Sequence, residues 1–202
     1  MRKLKFEDIE FNVTEEVFDY PPIYIEPGIL HEPQTYHYAL SILKTFNDDD
    51  VFIDIGSCFG LFSLMIQKGM AIAFEPSPEN AAILTRNILL NPEKNIKLIP
   101  IALADKSGIN YYIKRSQLPG LTKTIIGEGD LKTVILDDFK IEGNIKMIKV
   151  GRGCFWVGLL TLRWFWRSLL PSGVLLGKKG KIKKIAVVND DSHLGKEIEI
   201  KC

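Results

Sequence analysis

Four mainly apolar stretches mark the middle of the chain. They are residues 51–55, 71–75, 96–102 and 145–150. Mainly apolar runs of this length, without strict alternation of apolar and polar residues, predict strands that are buried on both faces, as in a parallel sheet. Residues 59–69 and 78–90 lie between the first three runs and have helical patterns. Pro78 suits the first turn of a helix, and Asn91-Pro92 ends one.

This alternation of strands and helices predicts the fold class. Parallel strands need crossover connections, and helices that make right-handed crossovers cover both faces of the sheet. We therefore expect an α/β protein, a Rossmann-like three-layer sandwich with a mostly parallel central sheet. In such folds the ligand binds at the carboxyl ends of the strands.

The flanking segments have weaker patterns. Lys3–Val13 alternates and predicts a strand or hairpin arm. A helix is expected from Glu32-Pro33-Gln34-Thr35 to Phe46, with its apolar side chains on one stripe. Residues 109–114 and 133–136 predict an added antiparallel pair, with a polar loop over 116–130 between them.

Charge and aromatic content change near residue 150. Residues 1–150 hold 16 Lys+Arg and 21 Asp+Glu, a net charge of −5, whereas residues 151–202 hold 10 and 4, a net charge of +6. All three tryptophans lie in the second part, at 156, 164 and 166. We therefore divide the chain into an N-terminal extension (1–50), a ligand-binding core (51–150) and an atypical C-terminal segment (151–202) that could complete the sheet.

The turn after the first core strand carries the candidate chemistry. The run Asp54-Ile55-Gly56-Ser57-Cys58-Phe59-Gly60 follows a buried strand, and Glu75 ends the next strand 21 positions after Asp54. Glycine permits a tight turn beside a ligand, a following helix would offer free N–H groups, and an acid at a strand tip can bind ribose hydroxyls. A nucleoside ligand is indicated. The GxxxG spacing argues against an NAD-binding GxGxxG turn, which is the other ligand class considered.

From Glu32 to Val150 the chain resembles class I S-adenosylmethionine-dependent methyltransferases of the FkbM type. The order and spacing of many segments carry the resemblance. They are Glu32-Pro33-Gln34-Thr35, Phe52–Gly60, Ala73-Phe74-Glu75-Pro76-Ser77-Pro78-Glu79-Asn80, Arg86-Asn87, Asn91, Ala102–Gly108, Leu136-Asp137-Asp138-Phe139 and Ile145–Lys149.

The resemblance implies roles for the matching residues. Asp54, Gly56, Ser57 and Gly60 would line the methionine and ribose end of S-adenosylmethionine, and Glu75 would bind the ribose hydroxyls. Ala104 and Asp105 would face the adenine. The implied activity is O-methylation of a small molecule or a glycan. No catalytic residue can be named.

The pattern departs from the family after Lys149. The family has Asp-x-Glu-Gly there, but this chain has Val150-Gly151-Arg152-Gly153, and its next acid is Asp190. A positioned base assists methyl transfer to a hydroxyl, so the alternative function is a catalytically impaired cofactor-binding remnant. Residues 151–177 have four interpretations: a frameshifted segment, a divergent helix, a membrane-contacting segment and a partner-binding helix. Residues 181–188 and 197–201 would form a terminal antiparallel hairpin.

Other features restrict the setting and the partners. Cys58, Cys154 and Cys202 form no CxxC pair, and the three histidines show no ligand spacing, so no metal site is expected. The absence of an export signal and of a disulfide pattern predicts a cytoplasmic protein. A net charge of +1 gives no reason to expect nucleic acid as a partner. The oligomeric state is not predicted.

Overall fold

A seven-stranded sheet forms the centre of the protein. The computed structural model describes residues 1–18, 33–104, 106–114, 123–151, 172–178, 181–188 and 194–199. The strands of the central sheet are β3 (Asp50–Ile55), β4 (Met70–Phe74), β5 (Ile96–Ile99), β9 (Asn144–Val150), β10 (Ser172–Lys178), β11 (Lys181–Val188) and β12 (Leu194–Glu199). Their spatial order is β12-β11-β10-β9-β3-β4-β5.

Four neighbouring strands, β5, β4, β3 and β9, are parallel to one another. Strands β10, β11 and β12 each run antiparallel to the preceding strand of the sheet, so five of these seven strands point in one direction. The mostly parallel central sheet and the α/β class predicted from the sequence are confirmed.

Both faces of the sheet are covered by apolar side chains, because successive residues of a strand point to opposite faces. Phe52 and Met147 pack on one face against helix α1 (Pro33–Leu43), helix α2 (Pro78–Leu89) and the hairpin of β1 (Arg2–Phe6) and β2 (Ile9–Val13). Ile53 and Ile148 pack on the other face, where Leu136 and Phe139 cover them. Every residue of β3 is buried as a result.

Helix α2 begins and ends as its sequence predicts. The hydroxyl of Ser77, the N-cap residue, accepts a hydrogen bond from the backbone N–H of Asn80 at 3.5 Å, and Pro78 occupies the first turn. Asn87 and Asn91 then connect the helix to the hairpin, because their side-chain oxygens accept from the backbone N–H groups of Thr14 and Asn12. The sequence predicts a strand or a hairpin arm over Lys3–Val13, and the structure has the hairpin, formed by β1 and β2.

The helix predicted over residues 59–69 is wrong. This buried segment contains turns and a short 3-10 helix, Ser63–Met65. Cys58 and Gly60 have φ angles of 52° and 79°, in the left-handed region, and such residues cannot belong to an α-helix. An apolar run that is buried on all sides gives no periodicity with which to distinguish a helix from an irregular segment.

The small sheet between residues 110 and 132 also differs from the prediction. Strand β6 (Asn110–Lys114) lies between β7 (Lys123–Ile126) and β8 (Leu131–Lys132), so part of the predicted 116–130 loop is a strand. The predicted partner, residues 133–136, leaves β6 because Val134 forms a parallel bridge with Leu103. The predicted strand 96–102 ends at Ile99 since Pro100 has no N–H to donate.

The C-terminal segment adds strands to the sheet. Strand β10 pairs with β9, with Gly173 opposite Val150. The predicted terminal antiparallel hairpin is confirmed as β11 and β12, but its second strand is Leu194–Glu199 and begins three residues before the predicted 197–201. The part of 151–177 that belongs to β10 is therefore a strand and not a helix. Residues 152–171 lie outside the described residues. Within the described residues, no helix has the length and apolar character that crossing a membrane requires.

Candidate functional site

The parallel register brings polar residues from three neighbouring strands to one edge of the sheet. Ile55 of β3 lies opposite Phe74 of β4, and Glu75 follows directly. Asp54 of β3 lies opposite Lys149 of β9. Because the carboxyl ends of parallel strands meet at one edge, Asp54, Glu75 and Lys149 surround the turn that follows β3. We call this group the carboxyl-edge site.

The glycine turn is fixed by hydrogen bonds to the neighbouring strand. Gly56 has a φ of 68°, in the region that favours glycine. The backbone N–H groups of Gly56 and Ser57 both donate to the carbonyl oxygen of Phe74, at 2.9 and 3.1 Å. The turn therefore bends around the end of β4, and this brings Cys58 next to Glu75.

Gly60 is required for packing at the end of the turn. A Cβ at Gly60 would lie 2.1 Å from Cδ1 of Leu84 in helix α2, and its φ of 79° is unfavourable for other residues. Its N–H donates to the carbonyl oxygen of Ser57 at 2.8 Å. Asn87 donates from its side chain to the carbonyl oxygen of Phe59 at 2.9 Å, which connects the turn to α2 a second time.

The sequence predicted free N–H groups at a helix N-terminus here, and that prediction is wrong. No α-helix starts in residues 57–66, and the N–H groups of Gly56, Ser57, Cys58 and Gly60 all donate to acceptors within the protein. Among the described residues of this edge, the side-chain carboxylates of Asp54 and Glu75 are therefore the polar groups considered for a ligand in place of these N–H groups. Such a site suits cationic and hydroxyl groups better than a phosphate.

Asp54 is completely buried and is held from two directions. Its Oδ2 accepts a hydrogen bond from the Ser63 hydroxyl at 2.8 Å. Its Oδ1 lies 3.1 Å from Nζ of Lys149, a side chain that is only 8% exposed. The Lys149 ammonium also donates to the carbonyl oxygen of Gly56 at 3.3 Å and lies 4.7 Å from the centre of the Phe62 ring.

Glu75 is also buried, and the donors around it are close in the chain or in the glycine turn. Its Oε2 accepts from the backbone N–H of Cys58 at 2.7 Å. Its Oε1 accepts from the N–H of Ser77 at 2.9 Å and from the side-chain amide of Asn80 at 3.3 Å. Burial raises the pKa of Glu75 above its ordinary value, although these hydrogen bonds and the charge of Lys149 act in the opposite direction.

The adenine side of the predicted site is only partly described. Ala104 is buried, and its N–H donates to the carbonyl oxygen of Val134 at 2.9 Å. Asp105 lies outside the described residues. The adenine-facing role of Ala104 and Asp105 stays a prediction.

Sequence reasoning assigned no role to several residues that complete the site. Lys149 and Ser63 bind Asp54, and Asn80 binds Glu75. One signal was available for Lys149, because a charged residue near the end of an otherwise apolar strand requires a partner. Ser63 gave no comparable signal, since it was placed in a helix that does not form.

The end of β9 is packed closely against the glycine turn at Gly151. Gly151 donates its N–H to the carbonyl oxygen of Ile55 at 2.8 Å. A Cβ at Gly151 would lie 2.7 Å from the carbonyl oxygen of Gly56 and 3.3 Å from Nζ of Lys149. No acidic residue occurs in residues 144–151, the described part of the chain around this strand end.

The chain is similar to known proteins among solved structures. No sequence profile of a known family matches the chain, and no curated protein matches it. Among solved structures it is similar to a precorrin-6y C5,15-methyltransferase from Geobacter metallireducens, at 21% identity over 38% of this chain, with a TM-score of 0.29. The chain spans 42% of the length of that protein.

A second similar structure comes from Plasmodium falciparum. It is described as a putative protein-L-isoaspartate O-methyltransferase (beta-aspartate methyltransferase) in complex with S-adenosyl-L-homocysteine. The identity is 15%, the TM-score is 0.31, and the match covers 57% of this chain and 79% of the other. The assignment of the fold therefore depends on the strand order and register described above.

Proposed function

We propose that the chain is an S-adenosylmethionine-dependent methyltransferase. The observation that carries the proposal is the placement of two buried carboxylates, Asp54 and Glu75, on either side of the Gly56 turn at the carboxyl edge of a parallel sheet. This placement is the one expected for a nucleoside ligand with a ribose and a charged tail.

The chemistry of the carboxyl-edge site fits this cofactor. A buried carboxylate can bind an ammonium group, and Asp54 keeps acceptor capacity on both oxygens, because Oδ2 accepts one described hydrogen bond and Oδ1 accepts none. Oε2 of Glu75 accepts one described hydrogen bond and can accept another from a ribose hydroxyl. In this proposal, Asp54 binds the amino-acid end and Glu75 the ribose.

The finer assignment is to the FkbM type, with O-methylation of a small molecule or glycan. The segments quoted above from Glu32 to Lys149 support it. When bound, S-adenosylmethionine supplies a methyl group on a sulfonium centre, and transfer to a hydroxyl breaks an S–C bond, forms an O–C bond and releases the hydroxyl proton. Alignment of the acceptor provides most of the rate in such a reaction, and a positioned base adds to it.

A second candidate function is a cofactor-binding remnant with impaired catalysis. The observation that favours it is the end of β9, where Gly151 packs against the Gly56 carbonyl and residues 144–151 contain no acid to receive the hydroxyl proton. Loss of a general base typically reduces the rate about 10²–10⁴-fold.

Calorimetric titration with S-adenosylmethionine and S-adenosylhomocysteine tests the cofactor, with NAD as the competing nucleotide. We expect binding of the first two and none of NAD. Glu75→Ala should weaken binding by about 1–3 kcal/mol, because the ribose hydroxyls lose their acceptor. Glu93→Ala, at an exposed acid just after α2, is the matched control and should bind as the wild type does.

Transfer of labelled methyl groups to a panel of hydroxyl compounds and glycans then separates the two candidates. Binding with little or no transfer favours the impaired remnant. Transfer at rates typical of methyltransferases excludes the remnant and makes Asp137 and Asp138, in the short 3-10 helix at 136–138, the next candidates for the base. Absence of binding to either cofactor form overturns both functions.

A further inference from the structure

Lys149 is a buried cation to which the proposed function assigns no role. Its side chain is 8% exposed, and it lies at the end of β9, directly opposite Asp54 in the register of β3. A buried ion pair gives little net stability, because both charges lose their hydration. The presence of this pair at the carboxyl edge therefore needs another explanation than the stability of the fold.

Lys149 contacts both the end of strand β3 and the turn that follows it. Its ammonium group lies 3.1 Å from Oδ1 of Asp54 and donates to the carbonyl oxygen of Gly56 at 3.3 Å. The last part of β3 and the first residue of the turn are thus fixed relative to each other. The ring of Phe62, 4.7 Å from Nζ, and the backbone of Gly151 enclose the ammonium group from other sides.

The Asp54 carboxylate cannot rotate freely between these partners. Ser63 donates a hydrogen bond to Oδ2 from the 3-10 helix, whereas Lys149 forms an ion pair with Oδ1 from the neighbouring strand and Oδ1 accepts no described hydrogen bond. One hydrogen bond and one ion pair from separate elements restrict the orientation of the carboxylate. Oδ1 then keeps its acceptor capacity in a restricted direction, which is the arrangement that a preorganised binding site requires.

We propose that Lys149 is a positioning residue that orients Asp54 and the Gly56 turn for the ammonium-bearing amino-acid end of the ligand. The inference rests on the proposed function, because it assigns Lys149 to the methionine end of the S-adenosylmethionine site. It concerns one end of the ligand only. Glu75, which the proposal assigns to the ribose, has its own donors in Cys58, Ser77 and Asn80.

The test compares two ligands that differ in the amino-acid end. S-adenosylhomocysteine carries it and adenosine lacks it, so calorimetry with both separates an effect at Asp54 from general damage to the site. Lys149→Met removes the charge and keeps most of the volume. We expect it to weaken S-adenosylhomocysteine binding roughly 10- to 100-fold, as loss of orienting partners does at other sites, and adenosine binding less than about threefold.

A matched control lies on the same strand. Lys146→Met makes the same substitution at the opposite end of β9, where Lys146 pairs with Asp50 at 2.9 Å. It should leave both affinities at their wild-type values. If Lys149→Met binds S-adenosylhomocysteine as tightly as the wild type or more tightly, or loses both ligands equally, the positioning role is overturned while the proposed function stands.

A second variant keeps the test decisive if Lys149→Met does not fold. Lys149→Arg keeps a positive charge beside Asp54 and so avoids a buried carboxylate without a charge partner, but its planar guanidinium places the donor groups differently. The folded variant should lose S-adenosylhomocysteine affinity and keep adenosine affinity, and wild-type affinity for both ligands or an equal loss of both would overturn the inference. Failure of the wild type to bind either ligand would overturn the proposed function and this role together.

Discussion

Two acids of strand β3 stand at its opposite ends, and each pairs with a lysine of β9. Asp50 begins the strand and lies 2.9 Å from Lys146, whereas Asp54 lies near its end and 3.1 Å from Lys149. Both pairs join an aspartate of β3 to a lysine of β9, and their N···O distances are similar. They differ in what else surrounds the carboxylate.

At the amino edge the acid has several donors of its own. The N–H of Asn47 and the ammonium of Lys146 donate to Oδ2 of Asp50, and the amide of Asn144 donates to Oδ1. Burial alone would raise the pKa of Asp50, but these hydrogen bonds outweigh it and the pKa lies below its ordinary value. These hydrogen bonds join β3, β9 and the turn at 47–49. Asp50 therefore has a structural role.

At the carboxyl edge the acid has fewer partners and a more buried cation. Ser63 and Lys149 are the described partners of Asp54, and the Lys149 side chain is 8% exposed where that of Lys146 is 25% exposed. Asp54 accepts one described hydrogen bond and Asp50 accepts three, so the acid at the ligand-binding edge keeps acceptor capacity for a ligand whereas the acid at the other edge serves as a structural joint.

Matched substitutions of the two acids should give the largest difference. Asp54→Asn leaves Lys149 buried without its charge partner, which typically costs about 3–5 kcal/mol of the free energy of unfolding. Asp50→Asn leaves Lys146 closer to solvent and should cost about 1–3 kcal/mol. Urea denaturation measures both.

Ligand binding should separate the two acids further. Asp54→Asn should weaken S-adenosylhomocysteine binding about 10- to 100-fold, the effect of losing a charged hydrogen-bond acceptor, and Asp50→Asn should not change it. Equal affinities in the two variants would mean that the edges do not divide into structural and functional roles.

Glycines at the two edges provide the next test. A Cβ at Gly69, at the amino edge, would lie 2.2 Å from the carbonyl oxygen of Asp50, which is backbone and cannot move aside. Gly69→Ala should therefore cost about 3 kcal/mol or more without a change in affinity of the folded protein. At Gly60 the obstacle is the flexible end of Leu84, so Gly60→Ala should cost about 2 kcal/mol and weaken binding as well.

Gly108→Ala is the control that measures backbone strain alone, for comparison with Gly69→Ala and Gly60→Ala. Gly108 has a φ of 80°, and the space that a Cβ would occupy there is open to 4 Å, so only the left-handed conformation should matter, at about 1–2 kcal/mol. A cost at Gly69 or Gly60 no larger than this would show that the neighbouring atoms adjust freely. Thermal unfolding of the three variants, followed by circular dichroism, makes the comparison.

The strands whose ends form the two edges, and helix α2 beside them, could be predicted from the sequence. Strands β3, β4 and β9 are predominantly apolar runs, and the burial of their apolar residues on both faces leaves few other structures for such runs. Helix α2 carries its own N-cap at Ser77 and a proline in its first turn. These signals are local, so they can be recognised without knowledge of the tertiary structure.

The site itself depended on tertiary information. The pairing of Asp54 with Lys149 follows from the register between strands that are distant in the chain, and no local pattern specifies that register. The segment after Gly56 appeared helical because it is apolar, but left-handed residues at 58 and 60 interrupt it. For the same reason the N–H groups expected to be free are bonded to Phe74 and Glu75.

The smallest expected effect concerns pH and again contrasts the two edges. Burial raises the pKa of Glu75 above the ordinary value of 4.5, so the folded protein binds this proton more tightly than the unfolded chain does. The free energy of unfolding should therefore fall as the pH rises from 4.5 through the raised pKa of Glu75. The lowered pKa of Asp50 has the opposite consequence, because its stabilisation is present above 3.8 and is lost as the pH falls through the lowered value.

Urea denaturation of Glu75→Gln and Asp50→Asn across this pH range isolates the two contributions. Glu75→Gln should show a smaller loss of stability than the wild type as the pH rises above 4.5, because it has no proton to release. Asp50→Asn should show a smaller loss than the wild type as the pH falls below 3.8. The Glu75 effect is expected to be small since the donors Cys58, Ser77 and Asn80 offset part of the burial. Parallel pH profiles for Glu75→Gln and the wild type would mean that those donors cancel the effect of burial on the pKa of Glu75. The hydrogen bonds of Glu75 would then compensate for burial, as those of Asp50 do.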